Sequence, residues 1–178
     1  LNYQFFEEVI SKKIYKTYAK QDLYKKNDLL KDQSINPINS ALFDEGINSF
    51  QSGKDFVEAM KFFNAIYESQ EFTKMSNYLK VTLHNYRAFT FFSLKEFKKA
   101  NDEFNFAIIL DSNNDTLLNN RGRCNFKNKE WKLAIIDFDN AINISKKFEY
   151  YYYRGCSKSK LGIYEDAIKD FNTALELK

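Results

Sequence analysis

Proline is almost missing from this chain. Pro37 is the single example in 178 residues, and only five glycines accompany it. A β-sandwich or barrel needs turns roughly every 8–12 residues, and turns draw on these two residue types. The shortage excludes that class and leaves a helical protein. Cysteine is scarce as well: Cys124 and Cys156 form no CxxC pair, and two thiols do not make a disulfide framework. With His84 as the single histidine, no His–His metal site can be assembled. Neither a GxxxxGK[ST] phosphate loop nor a GxGxxG turn is present. The chain reads as non-catalytic, with no cofactor and no metal.

A surplus of one charge is also lacking. The formal net charge is +3, and residues 1–31, with seven Lys against Glu7, Glu8, Asp22 and Asp28, account for it. Without a basic stripe no nucleic-acid partner is expected. No apolar run approaches the ~18–20 residues that span a bilayer, and no signal-peptide pattern is present. No membrane partner is expected, and the expected location is cytoplasmic. The chain opens on Leu1 and stops at Lys178, which reads as a fragment or a processed chain.

What the chain does contain is repetition. An alanine is followed four residues later by Phe and seven later by a small or aliphatic residue. The sets are Ala59–Phe63–Ile66, Ala100–Phe104–Ala107, Ala134–Phe138–Ala141 and Ala167–Phe171–Ala174. Three residues before each alanine stands an aromatic: Phe56, Phe97, Trp131 and Tyr164. Steps of three and four place each set on one helical face. About twelve residues upstream of each alanine a second helical stretch carries a small residue: Gly46, Ala88, Gly122 and Gly155. The alanines recur at steps of 41, 34 and 33, so each unit is a helix–turn–helix of about 34 residues.

This pattern resembles the tetratricopeptide repeat. Residues 148–178 carry it most fully, through Tyr151, Gly155, Gly162, Tyr164, Ala167, Phe171 and Ala174. The family's late proline is missing in every unit, Lys95 and Lys129 replace the turn glycine, and Asn125 and Lys158 stand where a hydrophobe is usual. The resemblance implies an all-α solenoid of about four helix–turn–helix repeats in a right-handed superhelix. The units are expected at 39–75, 76–114, 115–147 and 148–178, behind an N-terminal helical cap over 1–38. The cap rests on apolar spacing at Phe6, Ile10, Ile14 and Tyr18. The 41-residue step carries seven extra residues, two helical turns, so the face stays in phase. It predicts an early helix start with Ser76 as N-cap. Asn36-Pro37 reads as a cap with proline at the first helical position.

One departure recurs. Arg87, Arg121 and Arg154 occupy a position usually held by Leu in the family, and Glu103, Asp137 and Asp170 follow sixteen residues later. Where Glu45 replaces the arginine, Phe62 replaces the acid. The covariation within one chain predicts an Arg–carboxylate bridge between the two helices of each unit.

In the family the first helix of each unit lines a concave groove. Carried over residue by residue, this face comprises Asn85, Tyr86, Phe89 and Phe92, then Asn119, Asn120, Arg123 and Phe126, then Tyr152, Tyr153, Ser159 and Lys160. Asparagine amides can bond an extended backbone through donor and acceptor, and Arg123 lies outside the predicted bridges. The chaperone carboxylate clamp of some family members is excluded. Its five positions fall on Phe43, Ile47, Tyr86, Thr116 and Asn120 in one frame. In the other they fall on Asn85, Phe89, Asn120, Glu149 and Tyr153, where Asn120 alone matches. The expected function is a protein-interaction scaffold binding a peptide or partner helix. The alternatives are the docking arm of a larger enzyme, or an architectural subunit that self-associates through its solenoid ends. The last helix, lacking a capping helix, points to continuation.

Overall fold

The computed structural model describes residues 32–53 and 55–178. The expected cap helices at 2–31 lie outside the described residues. Eight α-helices follow: α1 (Pro37–Ser52), α2 (Phe56–Tyr67), α3 (Asn77–Ser93), α4 (Phe97–Leu110), α5 (Asp115–Lys127), α6 (Trp131–Ile144), α7 (Phe148–Lys160) and α8 (Tyr164–Glu176). No strand occurs among the described residues. The chain divides into two compact units, 1–82 and 83–178.

In the first unit α1 begins where the sequence supplies both start signals. Asn36 Oδ1 accepts the Asn39 N–H at 2.8 Å, and Pro37 sits at the first helical position. Asp55 caps α2 by accepting the Glu58 N–H. The hairpin closes through Phe43 and Phe63, edge to face at 6.0 Å and both fully buried. A Cβ at Gly46 would fall 2.5 Å from the Phe63 ring, so only hydrogen fits there. The extra residues of the long step form a short 3₁₀ turn, Phe72–Lys74, and lengthen α3 to 17 residues against 13 for α5 and α7. Ser76 Oγ accepts the Leu79 N–H at 3.2 Å and caps α3. Its hydroxyl also donates to Asp32 and its N–H to Ser34.

The second unit holds helical hairpins built on one plan. α5 packs on α6 and α7 on α8, while α4 meets α5 and α6 meets α7. The alanines and phenylalanines of the repeat, Ala100–Phe104–Ala107 and Ala134–Phe138–Ala141, are fully buried. Opposite Phe138 a glycine allows the close approach: a Cβ at Gly122 would lie 2.8 Å from Phe138 Cε1. Gly162 ends α7 at φ 78°, and Lys95 and Lys129 adopt the same left-handed backbone at φ 64°. The turn geometry is kept although the residue type is not.

Candidate functional site

The arginines and acids meet within each hairpin of the second unit. Arg87 Nε and Nη2 donate to Glu103 Oε1 at 3.0 and 2.8 Å. Arg121 Nη2 reaches Asp137 Oδ1 at 2.5 Å, and Arg154 Nη2 reaches Asp170 Oδ1 at 2.5 Å. Each carboxylate also holds a further polar partner. His84 Nδ1 lies 2.7 Å from Glu103 Oε2, Asn125 Nδ2 donates to Asp137 at 2.8 Å, and Lys158 Nζ lies 2.8 Å from Asp170. Asn125 and Lys158 stand four residues after an arginine and His84 three before one, so each shares its face. This accounts for the two polar residues that broke the repeat pattern. His84 likewise takes part in the first of these bridges.

A cross-hairpin bond was not foreseen. Arg121 Nη1 donates to Asn105 Oδ1 on α4 at 2.9 Å, and Arg154 Nη1 donates to Asp139 on α6 at 2.6 Å. Each of these guanidinium groups therefore ties its own hairpin to the one before. The acid and its neighbours set the protonation of the ladder. Burial pushes the Glu103 carboxyl up, but hydrogen bonds from His84 and Arg87 outweigh it and hold the group below the usual carboxylate range. At Asp137 burial prevails over Arg121 and Asn125, and the carboxyl sits above that range.

The side chains assigned to the concave face stand on α3, α5 and α7. Asn119 and Asn120 are 0% and 1% exposed. Asn85, Tyr86, Phe89, Phe126 and Tyr153 are also buried, while Arg123 and Tyr152 are half-buried. Every residue from Leu83 to Thr90 is buried, and eight consecutive helical residues point in all directions. Neither Nδ2 nor Oδ1 of Asn120 meets a hydrogen-bond partner among the described residues, and neither does Asn85 Oδ1. A buried polar group left in that state costs about 1–3 kcal/mol. One turn beyond Asn120 on the same face, the Arg123 guanidinium carbon lies 5.5 Å from the Phe92 ring and 5.4 Å from the Tyr153 ring.

Cys124 and Cys156 are both buried, and burial pushes the Cys124 thiol up to about 12, far from the thiolate that reacts or binds metal. No group of three potential metal ligands occurs among the described residues. No described helix is long and apolar enough to cross a membrane.

Tandem helical hairpins with small-for-large packing between their helices define a helical-repeat protein, an architecture that generally serves for contact with other chains. The family model of the tetratricopeptide repeat matches residues 148–178. Among solved structures, the crystal structure of MamA is similar over 93% of this chain and 91% of its own, at TM-score 0.68 and 20% identity. The tetratricopeptide-repeat domain of Arabidopsis OM64 matches over 58% of this chain and 86% of its own, at TM-score 0.57 and 27% identity. The second such domain of Spaghetti (RPAP3), bound to the HSP90 peptide SRMEEVD, matches over 56% of this chain and 93% of its own, at TM-score 0.54 and 25% identity. A comparison with curated proteins found no match.

Proposed function

We propose that this protein is a non-catalytic interaction scaffold that binds an extended peptide on the face formed by α3, α5 and α7. The observation that carries the reading is the Asn120 carboxamide, withdrawn from water with both polar atoms lacking a partner among the described residues. Such a group is a standing cost unless something arrives to satisfy it, and a peptide backbone offers the matching donor and acceptor. Asn85, one repeat earlier on α3, extends the same amide chemistry, and Tyr86, Phe89, Phe126, Tyr152 and Tyr153 supply rigid aromatic area. Entry requires the side chains that now shield the amides to part. The ligand proposed is not an HSP90 peptide of the kind the RPAP3 domain holds, because Asn120 alone matches among the five clamp positions.

The test is selection of a phage-displayed random dodecapeptide library on the full chain, followed by fluorescence anisotropy of an enriched peptide. The reading predicts a common motif and at least fivefold weaker binding to Asn120→Ala at unchanged helical circular dichroism. Failure to enrich any motif contradicts it.

A second reading has its own observation. On α8, Tyr164, Ile168 and Leu175 form an exposed apolar stripe, with Leu175 at 72%. Ile142, at the equivalent place on α6, is buried against Leu118 and Tyr150. Self-association through this stripe is the architectural alternative.

A further inference from the structure

We infer that the peptide bound on this face carries a glycine at the position that meets Asn120. The inference rests on the peptide-binding reading and names the residue its ligand must bring. Asn120 is 1% exposed, and neither its Nδ2 nor its Oδ1 meets a hydrogen-bond partner among the described residues. Leu117, Leu118 and Asn119, on the same turn of α5, are buried as well. Whatever satisfies this amide must bring its own polar atoms below the level of the surrounding side chains, to about 2.9 Å.

A carboxamide asks for one donor and one acceptor side by side. An extended peptide residue supplies both, because its N–H and C=O point to the same edge of the strand. The N–H would meet Asn120 Oδ1 and the C=O would accept from Nδ2. At that depth the obstacle is the Cβ of the residue that carries the two groups. Glycine has none, which is why it serves where a backbone must approach another group closely.

The hairpins of this protein follow the same rule. A Cβ at Gly122, two residues beyond Asn120, would stand 2.8 Å from Phe138, and one at Gly155 would stand 2.8 Å from Phe171. Asn85 adds a second and smaller demand. Its Oδ1, buried without a hydrogen-bond partner among the described residues, calls for one more N–H. Proline lacks that donor and is excluded where the peptide meets either amide.

The experiment repeats the dodecapeptide selection on the full chain and then varies the enriched peptide. The expected motif has glycine at one fixed register. Anisotropy compares this parent with peptides carrying L-alanine, D-alanine or N-methylglycine there. Each added methyl group should weaken binding to wild type about tenfold or more, as overpacking of a close contact does. On Asn120→Ala, checked for equal helicity, the shorter side chain leaves room, and the L-alanine penalty should fall below about twofold. A D-alanine peptide that binds as tightly as the parent would make glycine a conformational requirement and overturn the inference. A motif without fixed glycine, or an undiminished alanine penalty on Asn120→Ala, overturns it too. Each of these results leaves the peptide-binding reading standing, whereas enrichment of no motif overturns both.

Discussion

Arg87 and Glu103 form a doubly hydrogen-bonded pair in which each side chain is 9% exposed. A pair so far from water contributes little net stability against a hydrophobic replacement, but breaking it leaves one charge buried alone. The three rungs differ in that respect. The arginine side chain is 9% exposed at Arg87, 17% at Arg154 and 24% at Arg121. Neutralising the acid should therefore cost most for Glu103→Gln, at about 3–5 kcal/mol, less for Asp170→Asn and least for Asp137→Asn. Urea denaturation of the three variants checks the order, and equal losses would contradict it.

The same rung predicts a pH dependence. Glu103 titrates lower in the folded chain than its ordinary value of 4.5. Its contribution is present above that value and fades as pH falls through the lower folded one. The gap in urea midpoint between wild type and Glu103→Gln should hold well above pH 4.5 and shrink as the pH falls below it. Asp137 works in the opposite sense: its raised folded value favours the folded chain at low pH and loses that advantage as pH rises through it.

Lys129 holds a left-handed backbone that glycine adopts freely. A non-glycine residue there costs about 1–2 kcal/mol, partly offset by glycine's greater loss of chain entropy. Lys129→Gly should raise stability by about 0.5–1 kcal/mol, and so should Lys95→Gly. A fall in melting temperature would contradict this.

Gly122 meets a fully buried ring. A methyl group there would press on Phe138 and on Asp137 Cβ, 3.1 Å away. Gly122→Ala should destabilise by about 1–3 kcal/mol, despite the better helix propensity of alanine. Gly155→Ala should cost less, because Phe171 is only half-buried and its ring can move. Thermal unfolding of the two variants decides between them.

The stripe on α8 gives a separate prediction. If it is a self-association surface, wild type sediments as a dimer and Leu175→Glu as a monomer. A monomeric wild type at about 100 μM removes the architectural reading.

Two helix starts were legible because they rest on local chemistry: Asn36 and Ser76 each cap the helix that follows. The ladder could be read from its sixteen-residue spacing and from the joint loss of arginine and acid in the first repeat. Its further rungs could not be read so directly, since a periodic pattern fixes a face but not how far a side chain reaches. Only the i+4 placement of Asn125 and Lys158 signalled their role. The burial of Asn85, Tyr86 and Phe89 was hidden for another reason. A family register says which way a residue points along a helix, but not what lies opposite it.

The account's central claim is that the orphaned amides await a ligand. Removing such an amide should relieve a cost in the free protein, so Asn120→Ala should melt no lower than wild type. The direct measurement is the ¹H–¹⁵N spectrum of the side-chain amides during titration with the selected peptide. The account predicts that the Asn120 and Asn85 carboxamide signals shift and saturate with the binding curve. Shifts confined to residues of α8, with both carboxamides unmoved, would contradict it.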